Sequence, residues 1–175
     1  MARGCRHVAA ISGPLDVPSA QDRLSGFQDA MARHGQAFVP TVGGNFTYES
    51  GVAAMASLLA DYGDLDGVFA SNDLMALGAI EALRANGYFG DDGKFMPVVG
   101  VDATAPALEA LQEGTMLATV LNDALNQGKA TVRLASVLAR GETPTEENVG
   151  YPITDGKYVW VPYQKILLDN IDDAL

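Results

Sequence analysis

Five polar side chains recur at one place in the pattern of this chain, just past the ends of apolar runs. Asp16 and Arg23 follow the first run, Asn72 the third, Asp102 the fourth and Asn122 the fifth. If those runs are parallel strands, all five stand on one rim. In open α/β sheets that rim, outside the carboxyl ends of the strands, is where ligands bind. Carboxylates, a guanidinium fork and carboxamides together satisfy vicinal sugar hydroxyls, each of which donates and accepts, while an aromatic ring covers the apolar face of a pyranose. Phe46 or Tyr48 can supply the ring. Asp73 is expected to cap the helix that follows the third strand, which leaves the Asn72 carboxamide for a ligand.

The elements that must position these residues alternate. Strands are expected at 7–11, 37–42, 67–70, 96–101 and 116–121, and helices at 20–34, 47–62, 73–86, 105–113 and 123–140. Glycines at 35, 87 and 141 follow three of these helices in the usual terminating position. The segment 142–148 reads as a polar loop, and strands around 149–153 and 158–161 bracket the turn Thr154-Asp155-Gly156-Lys157. Strand and helix alternation over most of a chain calls for a parallel sheet with helices on both faces, a three-layer α/β/α sandwich of flavodoxin-like form. The expected organisation is one lobe over 1–175, with a core at 7–121, a crossover helix at 122–141 and a linker with terminal strands at 142–175.

Composition narrows the function classes. Of 175 residues, 48% are hydrophobic and 19% charged, enough apolar material for a substantial core. The net charge of −11 opposes direct contact with nucleic acid or anionic lipid, which needs clustered Lys and Arg. A single cysteine, Cys5, allows neither an internal disulfide nor a thiolate metal cage. There is no Gly-x-Ser-x-Gly elbow, no His-Glu-x-x-His and no phosphate loop ending in Gly-Lys-Ser/Thr, so neither an enzyme nor a cofactor is expected. His7 and His34 have no partner in sequence, and Gly43-Gly44-Asn45 is too short for a dinucleotide fingerprint. No long apolar segment opens the chain, which reads as cytoplasmic or as a truncated piece. Its abrupt entry into a strand suggests that something upstream is missing.

Four stretches between about Gly13 and Gly87 stand out: Ser12-Gly13-Pro14-Leu15, Arg23-Leu24-Ser25-Gly26-Phe27, Gly44-Asn45-Phe46-Thr47 and Ser71-Asn72-Asp73-Leu74-Met75-Ala76-Leu77-Gly78. On these residues this part of the chain resembles the effector-binding domain of the lactose-repressor (LacI/GalR) family of transcription regulators. From Pro97 onward, Val99-Gly100-Val101-Asp102, Met116 to Asp123, Asn126-Gln127-Gly128-Lys129-Ala130 and Trp160-Val161-Pro162-Tyr163 look like galactose/glucose-type periplasmic binding proteins of ABC transporters. Both relatives imply the type I periplasmic-binding-protein fold, in which two lobes close on a sugar. The resemblance implies that Arg23 and Asn72 hold hydroxyls, Phe46 covers the ring, Asp102 completes the polar set and Asn122 contacts the sugar.

This chain has about the length of one lobe with its crossover. The leading expectation is therefore a monosaccharide-binding lobe of a LacI-type regulator, cytoplasmic, without the headpiece that would touch DNA. The alternative is a lobe of a transporter's periplasmic sugar receptor, or a chimeric scaffold joined near 87–97. An isolated lobe exposes the apolar side of the 123–140 helix, so a homodimer is expected.

Overall fold

The computed structural model describes residues 4–36, 39–91 and 93–174. Its contacts gather into two units, Met1–Val120 with Lys165–Leu175, and Leu121–Gln164. The expected crossover helix at 122–141 and most of the expected linker and terminal strands at 142–175 lie in the second unit. In the structure Leu121–Gln164 cluster with one another, and the last residues return to the first unit.

The first unit is built on the parallel sheet β2-β1-β3-β4, with β1 at Val8–Ser12, β2 at Thr41–Gly43, β3 at Gly67–Ala70 and β4 at Val98–Val99. Main-chain bonds extend it by one further parallel line: Leu117 N donates to Val98 O at 2.8 Å, Gly100 N to Ala118 O at 3.1 Å and Asp102 N to Val120 O at 2.8 Å. Strand β1 reads Val-Ala-Ala-Ile-Ser and is buried throughout, as expected of a central parallel strand covered on both faces.

Alternate strand residues divide between two layers. Ala9, Ile11, Val68, Ala70 and Val98 join one apolar cluster with Met55 and Leu58 of α2 (Tyr48–Asp61), Met75, Ile80 and Leu83 of α3 (Asp73–Ala85) and Ala107 and Leu111 of α4 (Ala105–Gln112). Phe69, of the opposite parity, instead stacks on Phe27 of α1 (Pro18–Arg33), ring centroids 4.5 Å apart. The result is the expected three-layer α/β/α arrangement.

Helices α2 and α3 touch backbone to backbone, and glycine makes that possible. A Cβ on Gly78 would run into the Tyr48 carbonyl, and one on Gly51 into the main chain of Met75. Local chemistry sets the helix starts. Pro18 opens α1, where its missing N–H costs nothing. Thr47 and Ser50 form a reciprocal capping box at α2.

In the second unit, α5 (Ala124–Ala139) is capped by Asp123, whose Oδ1 accepts from Asn126 N at 2.8 Å. Ala130 and Val137 of α5 are buried, whereas Leu125, Val132 and Leu138 are more than half exposed. Two expectations need correction in this unit. Part of the polar segment read as loop is helical, because Thr145 and Asn148 close a capping box over α6 (Glu146–Val149) and Gly150, at φ 83°, ends it. Val149 is therefore the buried end of a helix rather than the start of a strand. The hairpin is short, β6 (Ile153–Thr154) against β7 (Tyr158–Val159), turned by positive φ at Asp155 and Gly156.

Strand β8 (Gln164–Ile166), which pairs with β5 (Thr119–Leu121), and the 3-10 turns over Leu168–Ala174 had no counterpart in the sequence reading. Strand β4 is also shorter than the expected 96–101. The first residues of the strand expected at 37–42 lie outside the described residues, and β2 begins at Thr41.

Candidate ligand site on the strand rim

At the carboxyl end of β3 the sequence reading and the structure exchange two neighbours. Asn72, not Asp73, caps α3. Its Oδ1 accepts from Met75 N at 3.0 Å, and its Nδ2 donates to the Phe46 carbonyl at 3.1 Å. Asn72 has the extended backbone a cap requires (φ −150°, ψ 169°), and Asp73 is already the first helical residue. Asn72 is itself buried, with 7% of its surface exposed, and one N–H and one lone pair of its amide lie outside these two bonds.

Asp73 lies fully buried. Its Oδ2 accepts from Thr104 N at 2.8 Å and from Thr104 Oγ1 at 3.3 Å, and its Oδ1 accepts from Thr119 Oγ1 at 2.7 Å. Burial pushes its carboxyl above the ordinary range. The bonds from Thr104 and Thr119 pull the other way, and the charge of Asp102 adds to the rise.

Arg23 projects from α1 across the sheet ends. Its Nη1 donates to the Ser71 carbonyl at 2.8 Å, and its Nη2 sits 3.4 Å from Asp102 Oδ1. The two side chains keep 18% and 30% of their surface exposed, so the pair is held in place and still reaches solvent. A continuous path thus runs from Asp102 through Arg23 and Ser71 to Asn72 and Phe46.

Backbone strain gathers on the same rim. Phe46 (φ 58°), Asp102 (φ 125°) and Ala103 (φ 54°) all have positive φ without being glycine. The half-buried Phe46 ring lies directly over Gly13, where a Cβ would run into it. Tyr48, the other candidate ring, is 39% exposed at the start of α2. Its phenol is pushed up first by burial and then by the charge of Glu81.

Among the expected site residues, the structure brings Arg23 to Asp102 and Asn72 to Phe46. Asp16 stands exposed on the turn between β1 and α1. Asn122 belongs to the second unit, where its Oδ1 accepts from Gln127 Nε2 at 2.6 Å. Thr104 and Thr119 were missed. Their only sequence signal is a threonine just before a helix and another within a short strand. Among the described residues, no group of three or more His, Cys, Asp or Glu is placed to hold a metal ion, and no helix is long and apolar enough to cross a membrane.

Residues 2–143 match the periplasmic binding protein domain. The chain belongs to that family. It is 41% identical over 112 residues to the D-galactose/methyl-galactoside binding periplasmic protein MglB of Haemophilus influenzae, a match covering 64% of this chain and 31% of the relative. It is 45% identical over 86 residues to the HTH-type transcriptional regulator CelR of Thermobifida fusca, covering 48% of this chain and 25% of the regulator. Among solved structures, an ABC transporter solute binding protein from Bacillus halodurans with bound myo-inositol superposes with a TM-score of 0.78 at 32% identity, over 95% of this chain and 53% of that one. This chain therefore spans about half the length, or less, of the proteins it resembles. The relatives include both transporter receptors and transcription regulators, and the type I periplasmic-binding-protein fold is common to them.

Proposed function

We propose that this chain supplies one half of a non-enzymatic monosaccharide site, the strand-rim half of a two-lobed receptor. The observation that carries the reading is the Arg23–Asp102 pair, partly exposed and 3.4 Å apart, on the same rim as Asn72 and Phe46. Adjacent hydroxyls of a pyranose present a donor and an acceptor side by side, which is what a guanidinium beside a carboxylate complements. Galactose, in the name of one relative, and myo-inositol, bound in a similar solved structure, both carry such adjacent ring hydroxyls.

The parent we favour is a transporter's solute receptor, because the MglB match spans 64% of this chain where the CelR match spans 48%. The regulator reading draws its support from the higher identity of the shorter match, 45% against 41%. In either parent, sugar bridging two lobes would bias their closure. A secretion signal in the parent gene would identify a transporter receptor, and a helix-turn-helix a regulator.

Half a site, unable to exclude water, should bind in the millimolar range, about −4 kcal/mol. Calorimetric titration with galactose, glucose and ribose tests this, repeated on Arg23→Met and Asp102→Ala. Saturable heat with a hexose, absent in both variants, is the expected result. Absence of heat from the folded wild-type chain at tens of millimolar sugar would refute it.

A further inference from the structure

The turn after β4 holds two consecutive non-glycine residues at positive φ, Asp102 at 125° and Ala103 at 54°. Each such conformation costs about 1–3 kcal/mol and persists only where the surroundings over-determine it. Besides the bond from Asp102 N to the Val120 carbonyl and the Arg23 contact, the bonds that do so here converge on Asp73. Ala103 N donates to Thr119 Oγ1 at 3.2 Å, and the same hydroxyl donates its own hydrogen to Asp73 Oδ1 at 2.7 Å. Thr104 N, the next amide along, donates to Asp73 Oδ2 at 2.8 Å. On the near side of the turn, Asp73 N donates to the Val101 carbonyl at 2.8 Å. Asp73 therefore grips the turn on both sides, by its main chain before Asp102 and by its carboxylate after it.

The space around the carboxylate is built to fit. A Cβ at Gly100 would collide with Asp73 Oδ1 and come within 2.7 Å of the Met116 side chain. Only glycine lets the strand pass so close to the carboxylate. Asp73 is fully buried, so no ligand touches it directly, and its influence on a ligand must pass through the turn.

We infer that Asp73 is a positioning residue of the rim: through Thr104 and Thr119 it holds the strained Asp102–Ala103 turn and so sets the Asp102 carboxylate against Arg23. The inference rests on the rim being the ligand site, although the hold on the turn exists without a ligand. A purely structural role, as the buried first residue of α3, would lower stability without altering the turn relative to the sheet.

The experiment separates these using the whole chain and three variants, Asp73→Asn, Thr119→Val and Thr119→Ser. Amide hydrogen exchange is followed by NMR without sugar, and galactose is then titrated into each. Thr119→Val removes the acceptor of Ala103 N, and Asp73→Asn removes the charge on the acceptor of Thr104 N, so exchange at Ala103 in the first and at Thr104 in the second should speed by roughly five- to tenfold relative to the β1 amides. Thr119→Ser, which keeps the hydroxyl, should match wild type. Galactose affinity should fall by about tenfold in the first two variants and recover in Thr119→Ser.

Exchange at Ala103 and Thr104 that tracks β1 in every variant would overturn the inference. Undiminished galactose affinity in Thr119→Val would do the same. If exchange responds as expected but the wild-type chain binds no sugar, the hold on the turn is established and the sugar reading fails alone.

Discussion

Gly78→Ala tests the packing that carries the rim. The side chain added there would run into the Tyr48 carbonyl, with Val52 N at 2.8 Å and Gly51 C at 3.1 Å. All three obstacles are main chain of α2, so no rotamer change can relieve them, and the helices must separate. Overpacking costs roughly 1–3 kcal/mol, and a backbone obstacle puts this case near 3. Alanine's better helix propensity returns about 1 kcal/mol, leaving a net loss of about 2 kcal/mol. For a chain of this size each kcal/mol moves the midpoint by about 2–4 °C, so Tm should fall by roughly 4–8 °C.

The assay is thermal unfolding followed by far-UV circular dichroism, because the single tryptophan, Trp160, lies in the second unit. Gly26→Ala is the control. That glycine is also inside a helix, yet a Cβ there meets nothing within 4 Å. It should gain about 0.5–1 kcal/mol from propensity alone. A Gly78→Ala chain as stable as wild type would refute the close approach of α2 and α3.

Two further predictions concern the residues at the end of β3. Asn72→Ala removes the α3 cap and the partner of the Phe46 carbonyl, at about 1 kcal/mol each, whereas Asn72→Asp keeps the acceptor for Met75 N and should cost roughly half as much in urea unfolding. Equal losses from the two substitutions would show that Asn72 does not cap. For Asp73, a folded carboxyl raised by burial above its ordinary 3.8 means that between those two values the folded chain binds more protons than the unfolded one. Stability contributed by this group is then fully present at lower pH and is lost as pH rises through the raised value. The stability of wild type relative to Asp73→Asn should therefore decline over that interval. A difference that stays flat or rises with pH contradicts the buried placement.

What was legible in the sequence followed from periodicity. Val8 to Ile11 is apolar and followed by turn residues, and α3 places Met75, Ala79, Ile80 and Leu83 at helical spacing, so the layers and the parallel sheet were readable. The rim was readable in kind, since polar residues that follow apolar strands have few other places to go. The division of labour between Asn72 and Asp73 was not. Both residue types cap helices well, and the choice between them depends on where the chain turns, which puts Asn72 outside the helix beside Phe46 and Asp73 inside it under Thr104 and Thr119. Thr104 lies 31 residues from Asp73 and Thr119 lies 46 away, so nothing local announces either bond. The same limit applies to α6, where a capping box of two side chains made a helix out of a polar stretch whose composition reads as loop. In each case a hydrogen bond decided between conformations that hydrophobic pattern left equal. On this rim such bonds hold the strained turn bearing Asp102, so the part of the candidate site that periodicity could not resolve is the part that bears its carboxylate.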